Sequence, residues 1–317
     1  MEVLDALVSH NYRITNQEED AHELFNLLTT TLERELYSSL PLYSLRDALL
    51  VEDLLQSPVS EDSSPRITTR GSKSVSGSRN PVSLPTRGMF ASQMQCNNCG
   101  HRNPVLLATF QSVTLTIPNK VLGGTITLQE CLQRYVSSET ISDVTCDNCS
   151  FGHKKSSFTR KITFGKLPQL LCFHFHRLTW HNTGVPVKRS EYVNFPEFLN
   201  MDEFMYTSMK AKADLTDQYS TLTGLLGGTS QTPVRDFAFP ISSVNATLSR
   251  ARYRYRLCSV IVHIGNPLSG HYITFRRGAN EDDDKWYFAS DSQVMRVLPR
   301  EVMSSSAYML FYERVKH

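Results

Sequence analysis

An α+β fold, helix first and antiparallel strands afterwards, is what this sequence predicts. Three observations carry that reading. A strongly periodic helical pattern stands near the N-terminus. A series of alternating β-type runs fills the C-terminal part. The composition, 40% hydrophobic and 20% charged over 317 residues, is that of a globular chain with a sizeable core.

The first element is a helix from about Gln17 to Tyr37. Asn16 is its expected N-cap, with Glu19 at capping-box spacing, and Ala21, Leu24, Phe25, Leu28 and Leu32 recur at helical spacing. Ser57 to Gly88 follows, with nine serines and four prolines. That composition reads as a flexible insert. Val113 to Ile117 alternates as a strand, and Thr127 caps a second helix over Leu128 to Val136. Phe158 to Phe164 and Leu170 to Leu178 are β-type runs. Ala213 to Arg250 is polar and without period, a second flexible stretch. Tyr253 to Ile264, Tyr272 to Arg277, Lys285 to Ala289 and Ala307 to Arg314 complete a strand-rich end.

Several classes are excluded by bulk properties. Net charge is +2, so no strong pull toward nucleic acid is evident. No apolar run approaches the roughly 18 residues that span a bilayer. The first ten residues lack the basic-then-apolar order of a secretory signal. Seven cysteines are not a disulfide scaffold and fit an intracellular reducing compartment.

The most specific chemical signal is Cys96-Asn-Asn-Cys99 with Cys146-Asp-Asn-Cys149. Two such knuckles hold four thiolates with the bite of tetrahedral zinc. The long separation also allows two unrelated cysteine pairs. Four thiolates leave no open position, so the expected role is one structural zinc. A second signal is Ser269-Gly-His271-Tyr272, followed downstream by Trp286 to Ser292. A histidine opening one strand and Ser290 or Asp291 closing the next suit a base and its orienting group. By themselves they also suit an ordinary surface histidine. His174 and His176 suggest metal ligands or strand packing, with packing favoured. Arg252 to Arg256 is an aromatic-basic run that strand alternation explains better than RNA contact. Glu281 to Asp284 reads as a solvated hairpin turn.

Read together, these motifs resemble the ubiquitin-specific proteases. Gln17-Glu-Glu-Asp-Ala-His-Glu-Leu-Phe25 is similar to their QQDAHEF helix, and the paired knuckles to their zinc fingers. Lys166 to Leu178, Tyr255 to Tyr272, Trp286 to Ser292 and Ala307 to Arg314 resemble their central strand, His box and closing strand, in family order. The resemblance implies a papain-like cysteine protease fold with a helical thumb, β fingers bearing a zinc ribbon, and a β palm. It divides the chain into a partial thumb (1–56), a disordered insert (57–88), fingers with the start of the palm (89–212), a flexible insert (213–250) and a palm with the His box (251–317). It implies a thiol-dependent deubiquitinase acting on ubiquitin and ubiquitinated proteins. His271 is the implied general base, Ser290 its orienter and Asp291 a second candidate orienter. Ser290, together with Glu19 to Phe25 and Ser304 to Val315, is similar to a branch of the family anchored in the mitochondrial outer membrane, facing the cytosol, that restrains mitophagy. The anchor is expected upstream.

The family's GLxNxGNTCxxN box, which carries the nucleophilic cysteine and an oxyanion-stabilising Asn, does not occur in the 317 residues. Cys131, Cys172 and Cys258 read as small core residues, with Cys258 sharing a strand face with Val260 and Val262. The chain is therefore expected to be truncated at its N-terminal side and inactive alone. A ubiquitin-binding pseudoenzyme and a zinc-stabilised interaction module remain as alternatives.

Overall fold

The computed structural model describes residues 19–37, 83–119, 124–149, 155–211, 252–279 and 284–315, with positions 5 and 8. The expected insert at 213–250 lies outside these residues, as does 57–82. Residues 83–88 are built into the fold: Thr86 is buried and donates to Gln111 at 2.6 Å, and Pro85 O accepts from Leu170 N at 2.8 Å.

Helix α1 spans Ala21–Tyr37. It starts later than Gln17, and its cap is Asp20 rather than Asn16. Asp20 Oδ1 accepts the backbone N–H groups of His22 (2.9 Å) and Glu23 (3.0 Å), two of the donors a helix start leaves unpaired. The buried stripe also differs from the periodic one. Leu32 is 47% exposed, whereas Thr29 and Thr31 are buried. Thr29 is accommodated because its hydroxyl donates to Phe25 O at 2.9 Å.

Two sheets follow. A four-stranded sheet orders β2 (Leu106–Phe110), β1 (Gly88–Cys96), β6 (Lys155–Lys166) and β5 (Glu139–Thr145). All its pairs are antiparallel. Gly88 opens β1 because the Phe110 ring lies where a Cβ would be, 2.3 Å away. Thr127 caps α2 (Leu128–Tyr135) as expected, and the structure completes a capping box: Thr127 Oγ1 accepts Glu130 N–H, and Glu130 Oε2 accepts Thr127 N–H.

The larger, eight-stranded sheet runs β15 (Gln293–Val297), β14 (Trp286–Ser290), β13 (Gly270–Arg277), β12 (Arg254–Gly265), β16 (Met309–Arg314), β7 (Leu170–His176) and β3 (Val113–Thr116). β11 (Phe198–Asn200) pairs β12 off this path. The sheet is not wholly antiparallel, since β3 runs parallel to β7. Residues 171–175 of β7 are all buried, as expected for a strand covered on both faces. Leu171, Phe173 and Phe175 enter the main core, while Cys172 joins Tyr308 and Met309 under Ala21 and Phe25 of α1.

The β-type run stops at His176, short of Leu178. Arg177 is buried there, with Nε donating to Ala307 O and Nη1 to the carbonyls of Arg189 and Glu191. A separate hairpin, β8 (Leu178–Trp180) with β9 (Pro186–Lys188), follows. In β12 a bulge between Leu257 and Ser259 shifts the alternation. Leu257, not Cys258, therefore joins Val260 and Val262 in the core, and the Cys258 thiol donates to Phe311 O at 3.3 Å. Asp284 is more than a solvated turn residue, because it pairs with Arg256 and with Arg277 (3.1 Å). Among the described residues no helix is long and apolar enough to cross a membrane.

Candidate active site and candidate metal centre

His271 enters the site from the start of β13 and Ser290 from the end of β14. The register pairs Thr274 with Ala289 and Arg277 with Trp286. One step further sets Ser290 beside Ile273, and His271 lies two residues earlier on the same face. Such diagonal neighbours are within side-chain reach. His271 Nε2 lies 2.8 Å from Ser290 Oγ, hydrogen-bonding distance. Asp291 Oδ2 is 3.7 Å from the same nitrogen, an ion-pair distance when the ring is protonated. Asp291 occupies the turn into β15 with φ +48, a left-handed conformation that Asp tolerates better than most residues. His271 Nδ1 has no hydrogen bond among the described residues. With the proton on Nε2 and donated to Ser290, Nδ1 presents a lone pair to a reacting group.

Motif reading left one residue of this region unassigned. Asp20, the α1 cap, also accepts from Tyr272 at 3.0 Å and Tyr308 at 2.5 Å through Oδ2. Tyr272 is the neighbour of His271, so one carboxylate ties helix, base strand and closing strand together. Burial acts to raise the Asp20 carboxyl, but the hydrogen bonds from Tyr308, Glu23 N–H, Tyr272 and His22 N–H outweigh it and hold it low. The visible signal was an Asp directly before a helical pattern. Behind it, His22 stacks on His174 at 3.9 Å between ring centroids. Burial pushes His174 down to about 3, and its Nδ1 pairs with Thr114 at 3.2 Å. His176 is exposed, so the packing role belongs to His174 alone.

Burial disfavours the thiolate at each of the three remaining cysteines. Burial raises Cys131 and Cys258 to about 11, and Cys172 well above the ordinary thiol value. A nucleophilic cysteine needs the opposite shift.

Cys96, Cys99, Cys146 and Cys149 converge, with all four Sγ atoms within 4.8 Å of one another. The Cys96–Cys149 and Cys99–Cys146 sulfurs are 3.6 Å apart. Four Zn–S bonds of about 2.3 Å at tetrahedral angles place sulfurs about 3.8 Å apart, so the set fits one zinc ion. The backbone of the first knuckle favours thiolates, whereas in the second the neighbouring sulfurs of Cys99 and Cys96 push Cys149 up to about 12. N–H groups of Cys99 and Asn98 bring Cys96 down to about 6, and His101 N–H lowers Cys99. The sheet holds the two halves together: Asn97 and Asn98 amides donate to Ser157 and Ser156 hydroxyls on β6, each at 3.1 Å. Gly100 closes the first knuckle with φ +71, donating to Cys96 O at 2.9 Å.

Comparison with known proteins agrees with this geometry. The family model described as ubiquitin carboxyl-terminal hydrolase matches residues 2–312. The chain is 35% identical over 351 residues to ubiquitin carboxyl-terminal hydrolase 30 of Xenopus tropicalis, covering 99% of this chain and 67% of that relative. To the Homo sapiens protein of the same name it is 34% identical over 365 residues, covering 99% and 70%. Solved structures of the SAGA Ubp8/Sgf11/Sus1/Sgf73 DUB module share the fold. One has a TM-score of 0.59 at 19% identity, covering 95% of this chain and 51% of that one. Another, bound to ubiquitin aldehyde, has a TM-score of 0.53 at 22% identity, covering 73% and 42%. The chain belongs to the ubiquitin carboxyl-terminal hydrolase family, whose members are thiol-dependent deubiquitinases with the thumb, fingers and palm of the ubiquitin-specific type.

Proposed function

We propose that this chain supplies the base half of a deubiquitinase that cuts the isopeptide bond after the C-terminal glycine of ubiquitin. The observation that carries the reading is the His271 Nε2 to Ser290 Oγ contact of 2.8 Å, which leaves Nδ1 unengaged. In this mechanism a cysteine from outside the 317 residues attacks the glycyl carbonyl while His271 Nδ1 takes its proton. His271 then returns the proton to the leaving lysine amine, and water releases the acyl-enzyme. Ser290 orients the ring. Asp291, at 3.7 Å, adds negative charge beside the imidazolium as it forms. The zinc ion supplies structure alone, because four thiolates complete its shell.

The raised values of Cys131, Cys172 and Cys258 support an outside nucleophile. They also favour one second reading: the 317 residues by themselves grip ubiquitin without cutting it. The likeness to ubiquitin carboxyl-terminal hydrolase 30 over 99% of the chain supports a place at the mitochondrial outer membrane, with the anchor outside these residues, and a role in restraining mitophagy.

The test is reaction with a ubiquitin bearing a C-terminal electrophile. The 317-residue chain should bind it without a covalent adduct. A version joined to a family Cys box should form one. An adduct with the 317 residues alone would overturn the outside nucleophile, and no adduct with the joined version would overturn the enzyme reading.

A further inference from the structure

The hairpin that delivers His271 projects beyond its sheet. β12 loses its β16 neighbour after Ile261, which pairs with Met309 and whose carbonyl accepts Tyr308 N–H at 2.7 Å. β13 pairs with β14 only from Thr274 onward. Between these limits, among the described residues, Val262 to Gly265 and Gly270 to Ile273 make ladder pairs with each other alone, closed by the Asn266–Ser269 turn. His271 sits on this overhang, opposite Ile264.

Strand geometry identifies the carbonyls on the β16 side of the overhang. Carbonyls alternate sides along a strand, so those of His263 and Gly265 point the same way as that of Ile261. Among the described residues no strand lies there to receive them. The Lys188 ammonium does so instead, donating from β9 to His263 O at 3.0 Å and Gly265 O at 2.8 Å. The two carbonyls flank Ile264, the residue paired with His271.

The turn is built tightly enough to transmit such a constraint. Gly265 has φ +124, and a Cβ on it would meet Ser269 O at 2.5 Å. A Cβ on Gly270 would meet His263 Nε2 and Ile264 O, both at 2.3 Å. Asn266 Oδ1 accepts Leu268 N–H at 3.0 Å and Ser269 N–H at 2.8 Å. The hairpin bearing Lys188 is anchored in turn. Arg189 donates to Ile117 O and Pro118 O, and Arg177 Nη1 to the carbonyls of Arg189 and Glu191.

We propose that Lys188 is a positioning residue: by capping the His263 and Gly265 carbonyls it takes the place of the missing strand and fixes the overhang that sets His271 against Ser290. The inference rests on the reading of His271 as the base, but its main test needs no activity. In the ¹⁵N-histidine-labelled 317-residue chain, the His271 ring nitrogens are followed across pH with and without Ser290→Ala. The Ser290→Ala effect on the His271 titration should be present in the parent chain, lost in Lys188→Met and restored in Lys188→Arg. Amide exchange at Leu268 and Ser269 should quicken about tenfold or more in Lys188→Met, while Leu310 and Tyr312 in β16 keep their rates, as for a local opening.

The idea is overturned if the Ser290→Ala effect is absent from the parent chain, survives Lys188→Met or fails to return in Lys188→Arg. It is overturned equally if β16 loosens together with the turn, which marks general destabilisation. In a version joined to a Cys box, Lys188→Met should lower kcat roughly tenfold with KM little changed, as for a displaced base. If His271→Ala leaves that version active, the base assignment fails while the coupling between Lys188 and His271 stands.

Discussion

At the residue scale the mechanism proposed above is distinguished by its neutral orienter, Ser290, 2.8 Å from His271. A serine hydroxyl fixes the His271 tautomer but stabilises an imidazolium less than a carboxylate does. In a version joined to a Cys box, His271→Ala should abolish cleavage of a fluorogenic ubiquitin substrate. Ser290→Ala should cost less than the roughly 10⁴-fold seen when a triad carboxylate is neutralised. The Ser290→Ala, Asp291→Asn double variant should fall further than either single one if Asp291 shares the task. Asp20 has the widest structural reach of any single carboxylate in this region. Asp20→Ala removes a helix cap and two tyrosine partners at once and should lower stability by about 2–4 kcal/mol in urea unfolding. Asp20→Asn keeps the cap and should cost less.

The buried His174 and the half-buried His22 give a pH dependence with a definite sign. His174 is held neutral down to about 3, by burial first and then by His22. Burial likewise lowers His22. The unfolded chain, with both groups near 6.5, binds more protons below that value. Stability is therefore full above about pH 6.5 and falls as pH drops toward 3. At pH 5 the His174 contribution alone is a loss of about 2 kcal/mol. Urea midpoints at pH 7 and pH 5 should show it, and His174→Gln should flatten the difference.

At the element scale, the four-stranded sheet and the zinc knuckles stabilise one another. β1 ends at Cys96, and β6 presents Ser156 and Ser157 to the knuckle amides. Metal analysis should return about one zinc per chain, and Cys96→Ser or Cys149→Ser should lose it. The melting temperature should fall with it, because metal-binding free energy contributes to folding. A metal-free chain that melts with the zinc form would remove the assignment. In α2, Thr127→Ala should cost about 1 kcal/mol through its capping box, measured in the same unfolding assay. That helix was legible because a cap residue, Thr127, stands directly before it. β1 and β5 were not. Gly-Met-Phe-Ala-Ser-Gln-Met-Gln-Cys has few β-formers, and Glu139–Thr145 is interrupted by Asp143 at φ 62 and a register shift. Both are strands because β6 pairs with them, a cause outside either segment.

At the scale of the whole molecule, the function proposed here depends on a part outside the 317 residues. Joining a family Cys box ahead of Met1 should convert an inert chain into a hydrolase, with a gain on the order of 10⁶ if a working triad is completed. Robust hydrolysis by the chain alone would contradict this. The family, the four zinc ligands, the helix over most of its length and the palm strands were all readable in order along the chain. The helix and the strands rest on residue type at short spacing, which local chemistry dictates, as does each CxxC pair; the family rests on the resemblance of its motifs, and the union of the two pairs at one site was left open until the fold brought them together. The alternation rule misplaced Cys258, because a bulge shifts the phase without a sign in the side chains. The helical stripe misjudged Leu32, and the run through Leu178 missed the break at Arg177. Asp20 meeting Tyr272 and Tyr308, and Lys188 meeting His263 and Gly265, join residues far apart in the chain. Such contacts arise only once sheet order and strand length are set, since these decide which backbone groups are left without a neighbour.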